Sequence, residues 1–171
     1  MVSLLKYVAL LIALLGIASL SGCGGAPGPD PEQAARHMFE LEWSGNIDEA
    51  WNLLHPLWRR DMFQDNFASY ANKLDEKNKA WADHPRTILR SKRFSGDEIP
   101  IRAQRLVKEL GRDGYDFSVV RLRANYPKVE GYYGGEVEYL LTLVRKTKAE
   151  SPWQILSCIN AEEEPRTIFD W

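Results

Sequence analysis

The stretch GGEVEYLLTLVRKTK, residues 134–148, has the alternation of side chains that is typical of a β-strand. Four apolar side chains share one face of such a strand: Val137, Tyr139, Leu141 and Leu143. Glu136 and Glu138 fall on the other face, and residues 115–126 and 151–160 form similar runs rich in β-branched and aromatic residues. The pattern predicts an antiparallel sheet with one face buried.

The polar face of this sheet contains charges of both signs. Arg121 and Arg123 belong to the run that precedes Glu136 and Glu138 along the chain. Opposite charges on neighbouring strands attract each other, so we expect these acids to pair with these arginines. The alternation alone leaves the register of the pairing open.

Three amphipathic helices are predicted ahead of the strands. The first covers residues 31–44, which open with proline and acid and stop before Gly45. The second starts at the cap residue Asn46, and it should bend or end near His55 because Pro56 follows. Helices of this kind need a common surface to cover.

The third helix is expected over residues 62–79, where large apolar side chains recur at steps of three and four: Phe63, Phe67, Tyr70 and Leu74. A fourth helix is expected over residues 97–110, with Asp97 as its cap and Gly111 as its terminator. Between these two helices, residues 82–96 are open to two interpretations, a first strand or an irregular arm. The order of elements predicts an α+β fold in which N-terminal helices pack on a curved antiparallel sheet.

The N-terminus has the composition of an export signal. Lys6 is its only charged residue, and the apolar run over residues 7–20 is too short and too poor in flanking bases to remain as a membrane-spanning helix. Residues 1–22 are therefore predicted to be a signal peptide. Residues 23–31 are rich in glycine and proline and predict a flexible tether, which leaves residues 32–171 as a single domain.

The sequence LSGC at residues 20–23 resembles the lipobox of bacterial lipoprotein precursors. The resemblance implies a diacylglyceryl thioether on Cys23, cleavage just before it, and a membrane reached through this lipid anchor. It places the protein in the cell envelope, on the outer face of the cytoplasmic membrane or on the outer membrane, and Gly24 favours the latter. The alternative is an ordinary signal peptide cleaved after Gly22.

Composition excludes some classes of function. The formal net charge of the 171 residues is −2, which argues against nucleic-acid binding because phosphate contacts need clustered positive charge. Of the two cysteines, Cys158 has no partner once Cys23 is lipidated, so no internal disulfide is expected. Its apolar neighbours predict that Cys158 is a buried small hydrophobe and not a nucleophile.

Motifs for metal, cofactor or nucleophilic chemistry are not found. His37, His55 and His84 lack the spacing of a zinc site, and the latter two precede prolines, where capping or solvent exposure is expected. The sequence contains no Gly-x-Ser-x-Gly, phosphate loop or dinucleotide fingerprint. We therefore assign no metal ligand, no cofactor and no catalytic residue.

Acidic residues are the remaining candidates for chemistry. Asp61 and Asp65 are spaced as one helical turn and indicate a solvated face. A base of the isomerase kind would project from a strand into a cavity, and the candidates are Asp116, Glu136 and Glu138, each of which is more simply a surface residue.

The tryptophans are interpreted as packing residues. Trp51 and Trp58 lie on the apolar face of the second helix and predict core positions. Trp43, Trp81 and Trp153 fall at the ends of elements, where half-buried packing is expected in preference to an exposed binding patch.

Residues 31–160 resemble the nuclear transport factor 2-like fold, a cystatin-like cone, in its small bacterial lipoprotein branch. The likeness comes from GNIDEAWNLLHP at residues 45–56, from the phenylalanine-spaced helix after it, and from SPWQIL at residues 151–156. It implies a cavity between the helices and a concave sheet. Residues 82–114 depart from the pattern, since they are longer and more basic than the family leads us to expect.

Relatives with this fold place acids or histidines in the cavity as isomerases or dehydratases, hold a small ligand, or dimerise through the outer sheet face. We expect a membrane-tethered, extracytoplasmic module without catalytic activity. Its partner would be a small apolar ligand, another envelope protein, or a second copy bound through the sheet. The alternative is a small lyase or isomerase that uses an acid in the cavity.

Overall fold

The computed structural model describes residues 30–132, 134–147, 151–165 and 167–169, with helices first and most strands last. The helices are α1 (Pro31–Ser44), α2 (Ile47–Leu53), α3 (Pro56–Phe63), α4 (Phe67–Ala80) and α5 (Ile101–Leu110). The strands are β1 (Thr87–Ser95), β2 (Tyr115–Tyr126), β3 (Gly135–Lys146) and β4 (Gln154–Asn160). Two 3-10 turns follow, Ala161–Glu163 and Thr167–Phe169. This is an α+β fold, as predicted, and the signal peptide and Cys23 lie outside the described residues.

The four strands form one antiparallel sheet in the order β1-β2-β3-β4. Residues 87–95 pair with β2, so the segment that the sequence left open is a strand. The register places Glu138 opposite Arg123, and Glu138 forms ion pairs with Arg121 and Arg123, as expected. Arg123 also pairs with Glu136 at 3.2 Å.

One face of the sheet is buried and so is part of the other, which corrects the prediction of one buried face. On the first face a cluster joins strand residues such as Leu122, Leu141 and Ile155 to α1, α2 and α4. On the second face α5 packs on the sheet through Ala103, Leu106 and Val107, against residues that include Val119, Leu140 and Val144. The reason lies in residues 140–144, where LLTLV is almost entirely apolar, so the strand presents large apolar side chains to both sides.

The first helix begins and ends where the sequence predicted. Asp30 accepts a hydrogen bond from the Glu32 amide at 3.0 Å, and Pro31 is the buried first residue of α1. Gly45 ends the helix with φ of 84°, a conformation that glycine adopts without steric cost. The predicted apolar face is buried throughout: Ala34, Ala35, Met38, Phe39 and Leu41.

The second helix ends before Pro56, as expected. Leu54 is extended and forms a parallel bridge with Ile155, and the His55 amide donates to the Ile155 carbonyl at 2.9 Å. Pro56 then begins α3. Asn46 occupies the cap position of α2, but its side chain makes no capping hydrogen bond. The junction between α2 and α3 therefore covers part of the outer edge of β4.

The predicted helix over residues 62–79 is wrong, because two helices share this region. Gln64 and Asp65 both have positive φ, 53° and 56°, and they separate α3 from α4. Asn66 then caps α4, since its side-chain oxygen accepts from the Ser69 amide at 3.2 Å. Asparagine is a favoured N-cap residue, so a new helix starts after Asn66. The apolar side chains continue at helical spacing across this break in the backbone. Asp61 and Asp65 consequently do not share a helical face.

The fourth helix is shorter than predicted at its start, and Asp97 is not its cap. Asp97 instead accepts from the Ser95 hydroxyl at 2.6 Å in the turn after β1. Glu164 accepts from the Ile101 amide at 2.6 Å and so satisfies one of the amides in the first turn of α5. This partner is 63 positions away along the chain, which local patterns do not reveal. Gly111 ends the helix as predicted.

The C-terminal tail packs through Phe169, which is 2% exposed in the cluster beneath α5. Trp171 lies outside the described residues. Among the helices that the structure describes, none combines the length and the apolar character that crossing a bilayer requires.

Candidate functional site

A cavity of about 330 Å³ lies between helices α1, α3 and α4 and the first face of the sheet. Its walls are mainly apolar and include Met38, Leu54, Trp58, Phe63, Leu74 and Val137. Met62, Lys73 and Lys77 line it and are exposed, so the cavity opens to solvent beside α3 and α4. A solvent-accessible, apolar recess of this size falls at the small end of ligand-binding pockets.

Aromatic contacts give this cavity a rigid wall. The Trp81 ring lies 5.5 Å from the Tyr126 ring and donates its indole N–H to the Pro127 carbonyl at 2.9 Å. Phe39 lies 5.0 Å from Tyr139 and 5.6 Å from Trp43. Ring pairs at these separations are attractive beyond the area that they bury. The helix α1 and the strands β2 and β3 are thereby held together around the opening.

Glu42 is the acid of this cavity, and it comes from the last turn of α1. The Tyr70 hydroxyl of α4 donates to its carboxyl oxygen at 2.7 Å, and Asn78 donates to its backbone carbonyl at 2.6 Å. Burial raises the pKa of the Glu42 carboxyl above its ordinary value of 4.5, against the opposite effects of Tyr70 and of Lys77, Arg86 and Lys73.

Two tyrosines and a cysteine also line the cavity: Tyr126, Tyr139 and Cys158. Tyr139 donates its hydroxyl to that of Tyr126 at 3.0 Å, and burial raises the pKa of both phenols. Cys158 packs against the first cluster, and burial, with Glu42 as a smaller cause, raises the pKa of its thiol. A raised pKa favours the protonated thiol, as expected of a residue that is not a nucleophile, but Cys158 is half-buried and lines the cavity, where the sequence predicted a buried residue.

Arg86 holds a fixed position at the cavity wall. Its guanidinium carbon lies 5.3 Å from the centre of the Trp43 ring and 5.6 Å from that of Trp81. Its Nη2 donates to the Asn78 side chain at 2.7 Å and to the Trp43 carbonyl at 3.4 Å. Burial lowers the pKa of Arg86, but an arginine remains charged at any physiological pH.

The acids that the sequence singled out lie elsewhere. Glu136 and Glu138 pair with arginines of β2 on the face of β3 opposite the cavity, and Asp116 pairs with Arg145 at 3.1 Å. Asp61 pairs with Arg105 of α5. None of these residues lines the cavity, so the acid of the cavity is one that the sequence reasoning missed.

Glu42 was not predicted because a base of the isomerase kind was expected on a strand, and Glu42 lies on a helix. In the sequence it stands between the apolar residues Leu41 and Trp43, in a helix whose buried face ends there. An acid next to two large apolar residues at the end of a buried helical face is a local signal of partial burial. The residues that convert it into a cavity group, Tyr70 and Arg86, come from other elements and are not visible in that pattern.

The histidines are not part of the cavity. His55 caps α3, since its Nδ1 accepts from the Leu57 amide at 3.2 Å, and His84 is exposed, as expected for both. His37 is half-buried in α1. Among the described residues there is also no group of three or more His, Cys, Asp or Glu side chains that could hold a metal ion.

The tryptophans partly follow their predictions. Trp43 is half-buried as expected, but Trp81 and Trp153 are buried, with 7% and 2% exposure. Trp51 and Trp58, expected in the core, are half-buried at its edge, and Trp58 lines the cavity.

Comparisons of the chain with protein-family models, with curated proteins and with solved structures found no match.

Proposed function

We propose that this protein binds a small, mainly apolar molecule in the cavity between its helices and its sheet, and that it does so as a lipid-anchored protein of the bacterial envelope. The observation that carries the binding proposal is the cavity itself, about 330 Å³, apolar in its walls and open to solvent. Rigid aromatic pairs and two methionines, Met38 and Met62, line it. Methionine adapts its shape to different apolar ligands.

The order of the elements supports a more specific assignment, to the nuclear transport factor 2-like fold. All five helices that the structure describes precede β2, β3 and β4, and the cavity lies between helices and sheet, where that resemblance implies it. The same arrangement favours ligand binding over dimerisation through the outer sheet face, because α5 and Phe169 pack on that face. A second copy would find less of it accessible than a fold without α5 would offer.

The proposed address rests on the sequence LSGC at residues 20–23. Two or more acyl chains, at about 0.8 kcal/mol for each buried methylene, hold a protein on a bilayer where one chain is marginal. Residues 24–29 would then form the spacer ahead of the Asp30 cap of α1. The membrane is thus the proposed partner of the N-terminus, on the outer face of the cytoplasmic membrane or on the outer membrane.

The second candidate function is that of a small lyase or isomerase, and Glu42 is the observation that favours it. A carboxyl with a raised pKa in a mainly apolar recess suits general base catalysis. Such a base would take a proton from a carbon next to a carbonyl and return it elsewhere on the substrate. The hydroxyls of Tyr126 or Tyr139 would donate a hydrogen bond to the resulting enolate oxygen.

Binding is tested with a neutral fluorescent probe, N-phenyl-1-naphthylamine, which brightens in an apolar site. The wild-type chain should bind it saturably at one site. Val137→Phe adds a ring to a residue of the cavity wall, so affinity should fall by about tenfold, which is about 1.4 kcal/mol. Leu89→Phe is the control, because Leu89 is 48% exposed on β1 and does not line the cavity.

The result that overturns the binding proposal is equal affinity of Val137→Phe and wild type, or no saturable binding by the folded wild-type chain. The enzyme candidate predicts something further. A Glu42→Gln variant would keep its affinity for a substrate and lose its turnover, whereas a binding protein has no turnover to lose.

A further inference from the structure

The charges around the cavity do not balance. Its lining residues, as far as the structure describes them, include three cations, Lys73, Lys77 and Arg86, and one acid, Glu42. Lys77 and Arg86 both act on the pKa of Glu42, so all three groups lie in one electrostatic neighbourhood. A neutral apolar ligand would leave this excess of positive charge unused.

Arg86 is the best-placed of these cations. Within the described part of the chain its guanidinium forms no ion pair, and its hydrogen bonds use one terminal nitrogen, Nη2. The rings of Trp43 and Trp81 lie against the group and restrict its movement. A guanidinium held in this way can donate two parallel hydrogen bonds to a carboxylate or a sulfonate with little further loss of side-chain entropy.

The desolvation of Arg86 needs a compensating contact. The group is half-buried among apolar rings, and burial of a charge without an anionic partner is unfavourable. Asn78, the Trp43 carbonyl, the two indole rings and the nearby Glu42 carboxyl offset part of this cost. An anionic ligand would offset it further, and its body would lie against the apolar walls that Trp58, Phe63 and Leu74 provide.

We propose that the ligand of this cavity is an amphipathic organic anion, with one carboxylate or sulfonate head bound by Arg86 and Lys77 and an apolar body in the cavity. The inference rests on the proposed binding function and narrows it to one class of ligand. The Tyr70 hydroxyl already occupies one oxygen of Glu42, and burial raises the pKa of this carboxyl, so Glu42 opposes an anionic head less than an exposed acid would.

A matched pair of probes tests the class of ligand. 1-Anilinonaphthalene-8-sulfonate carries the anionic head, and N-phenyl-1-naphthylamine has the same ring system without it. The folded chain should bind the sulfonate about tenfold more tightly, because the sulfonate accepts charge-assisted hydrogen bonds that the amine lacks an anionic group to accept. The advantage should shrink as salt is added, because salt screens the attraction between charges.

Variants assign the effect to the cavity. Arg86→Gln should lower the affinity for the sulfonate by about tenfold and leave the affinity for the neutral amine unchanged. Lys77→Gln should lower the affinity for the sulfonate by about threefold. Lys79→Gln is the matched control, because Lys79 is on the same helix but pairs with Asp75 outside the cavity. Arg86→Lys keeps the charge but loses the planar guanidinium that donates two parallel hydrogen bonds, so its affinity for the sulfonate should lie between those of wild type and Arg86→Gln.

Each outcome decides between the two proposals. If the amine binds and the sulfonate binds no better, the cavity binds ligands but the anionic class is wrong. If neither probe binds, the binding function itself is wrong. An equal loss of sulfonate affinity in Lys79→Gln and Lys77→Gln would reveal surface binding and would also overturn the proposal. If Arg86→Gln fails to fold, Arg86→Lys, Lys77→Gln and the salt dependence carry the test.

Discussion

At the scale of single residues, the environment of Glu42 explains most of what the cavity can do. Its carboxyl shares the recess with the Tyr70 hydroxyl, the Tyr126 and Tyr139 phenols, the Cys158 thiol and the cations of α4. Burial works against ionisation, and the hydrogen bond and the cations work for it. Burial has the larger effect, so the pKa of Glu42 lies above its ordinary value of 4.5. A change of pH above that value therefore changes the charge inside the cavity.

Replacing Glu42 with glutamine should change how stability depends on pH. A carboxyl with a raised pKa binds its proton more tightly in the folded state, so its contribution to stability is lost as pH rises from 4.5 through the folded pKa. Glu42→Gln keeps an oxygen for the Tyr70 hydroxyl and removes this titration. In thermal melts across this range, the melting temperature of the variant should therefore rise relative to that of wild type as pH increases. A constant gap at every pH would contradict the assignment.

His55 allows a second prediction at this scale, with the opposite sign. Burial, and to a lesser degree Arg59, lowers the pKa of His55, so the neutral imidazole that caps α3 is favoured in the folded state. Its contribution to stability is present above 6.5 and is lost as pH falls through the folded pKa. His55→Ala should cost about 1 kcal/mol at neutral pH, the usual value of an N-cap.

The control for His55 is asparagine. His55→Asn keeps a side-chain acceptor for the Leu57 amide and has no charge to gain, so it should retain most of the stability and lose the pH dependence in this range. Denaturant titrations at neutral and mildly acidic pH provide the measurement. Equal pH dependence of the asparagine variant and wild type would rule out His55 as the titrating group.

At the scale of elements, the sequence predicted those whose periodicity is long and uninterrupted. β2, β3 and β4 and the first helix were found within a few residues, because alternating or three-to-four spacing is a property of the segment itself. The errors have non-local or competing causes. Asn66 interrupts a continuous apolar period by capping a new helix, and Glu164 caps α5 from the far end of the chain. The cavity was likewise beyond local patterns, since α1, α3, α4 and three strands contribute to it.

The turn between α3 and α4 allows a prediction about these elements. Gln64 adopts φ of 53° at the end of α3, a conformation that is unfavourable for a residue with a Cβ atom. Gln64→Gly should therefore raise the free energy of unfolding by about 0.5–1 kcal/mol, after allowance for the greater freedom of glycine in the unfolded chain. Gln64→Ala keeps the Cβ atom and should not stabilise. Urea titration measures both variants, and a destabilised glycine variant would contradict this explanation of the turn.

At the scale of the whole molecule, α1 connects the proposed anchor to the cavity. Near its start, Glu32 accepts from the Ser91 hydroxyl at 2.8 Å and from the Arg93 amide at 3.0 Å, which fixes the entry of the chain on β1. Its last turn supplies Glu42 to the cavity. Ten residues of helix separate these two positions by about 15 Å. An anchor ahead of Asp30 would therefore join the domain one helix-length from the site that holds a ligand.

This arrangement makes the anchor separable from the domain, and the two cysteines test it. Cys23→Ser should move the chain from the membrane fraction to the soluble fraction after a high-salt wash, because the acyl chains and not the domain would supply the affinity. Cys158→Ser is the matched control, since Cys158 lies in β4 and its replacement should leave the chain on the membrane. The intact mass of the wild-type N-terminus should carry the acyl chains. A Cys23→Ser chain that stayed quantitatively on the bilayer would show that another part of the molecule holds it there, and the proposed lipid anchor would be wrong. The probe experiments on the cavity would still test ligand binding independently.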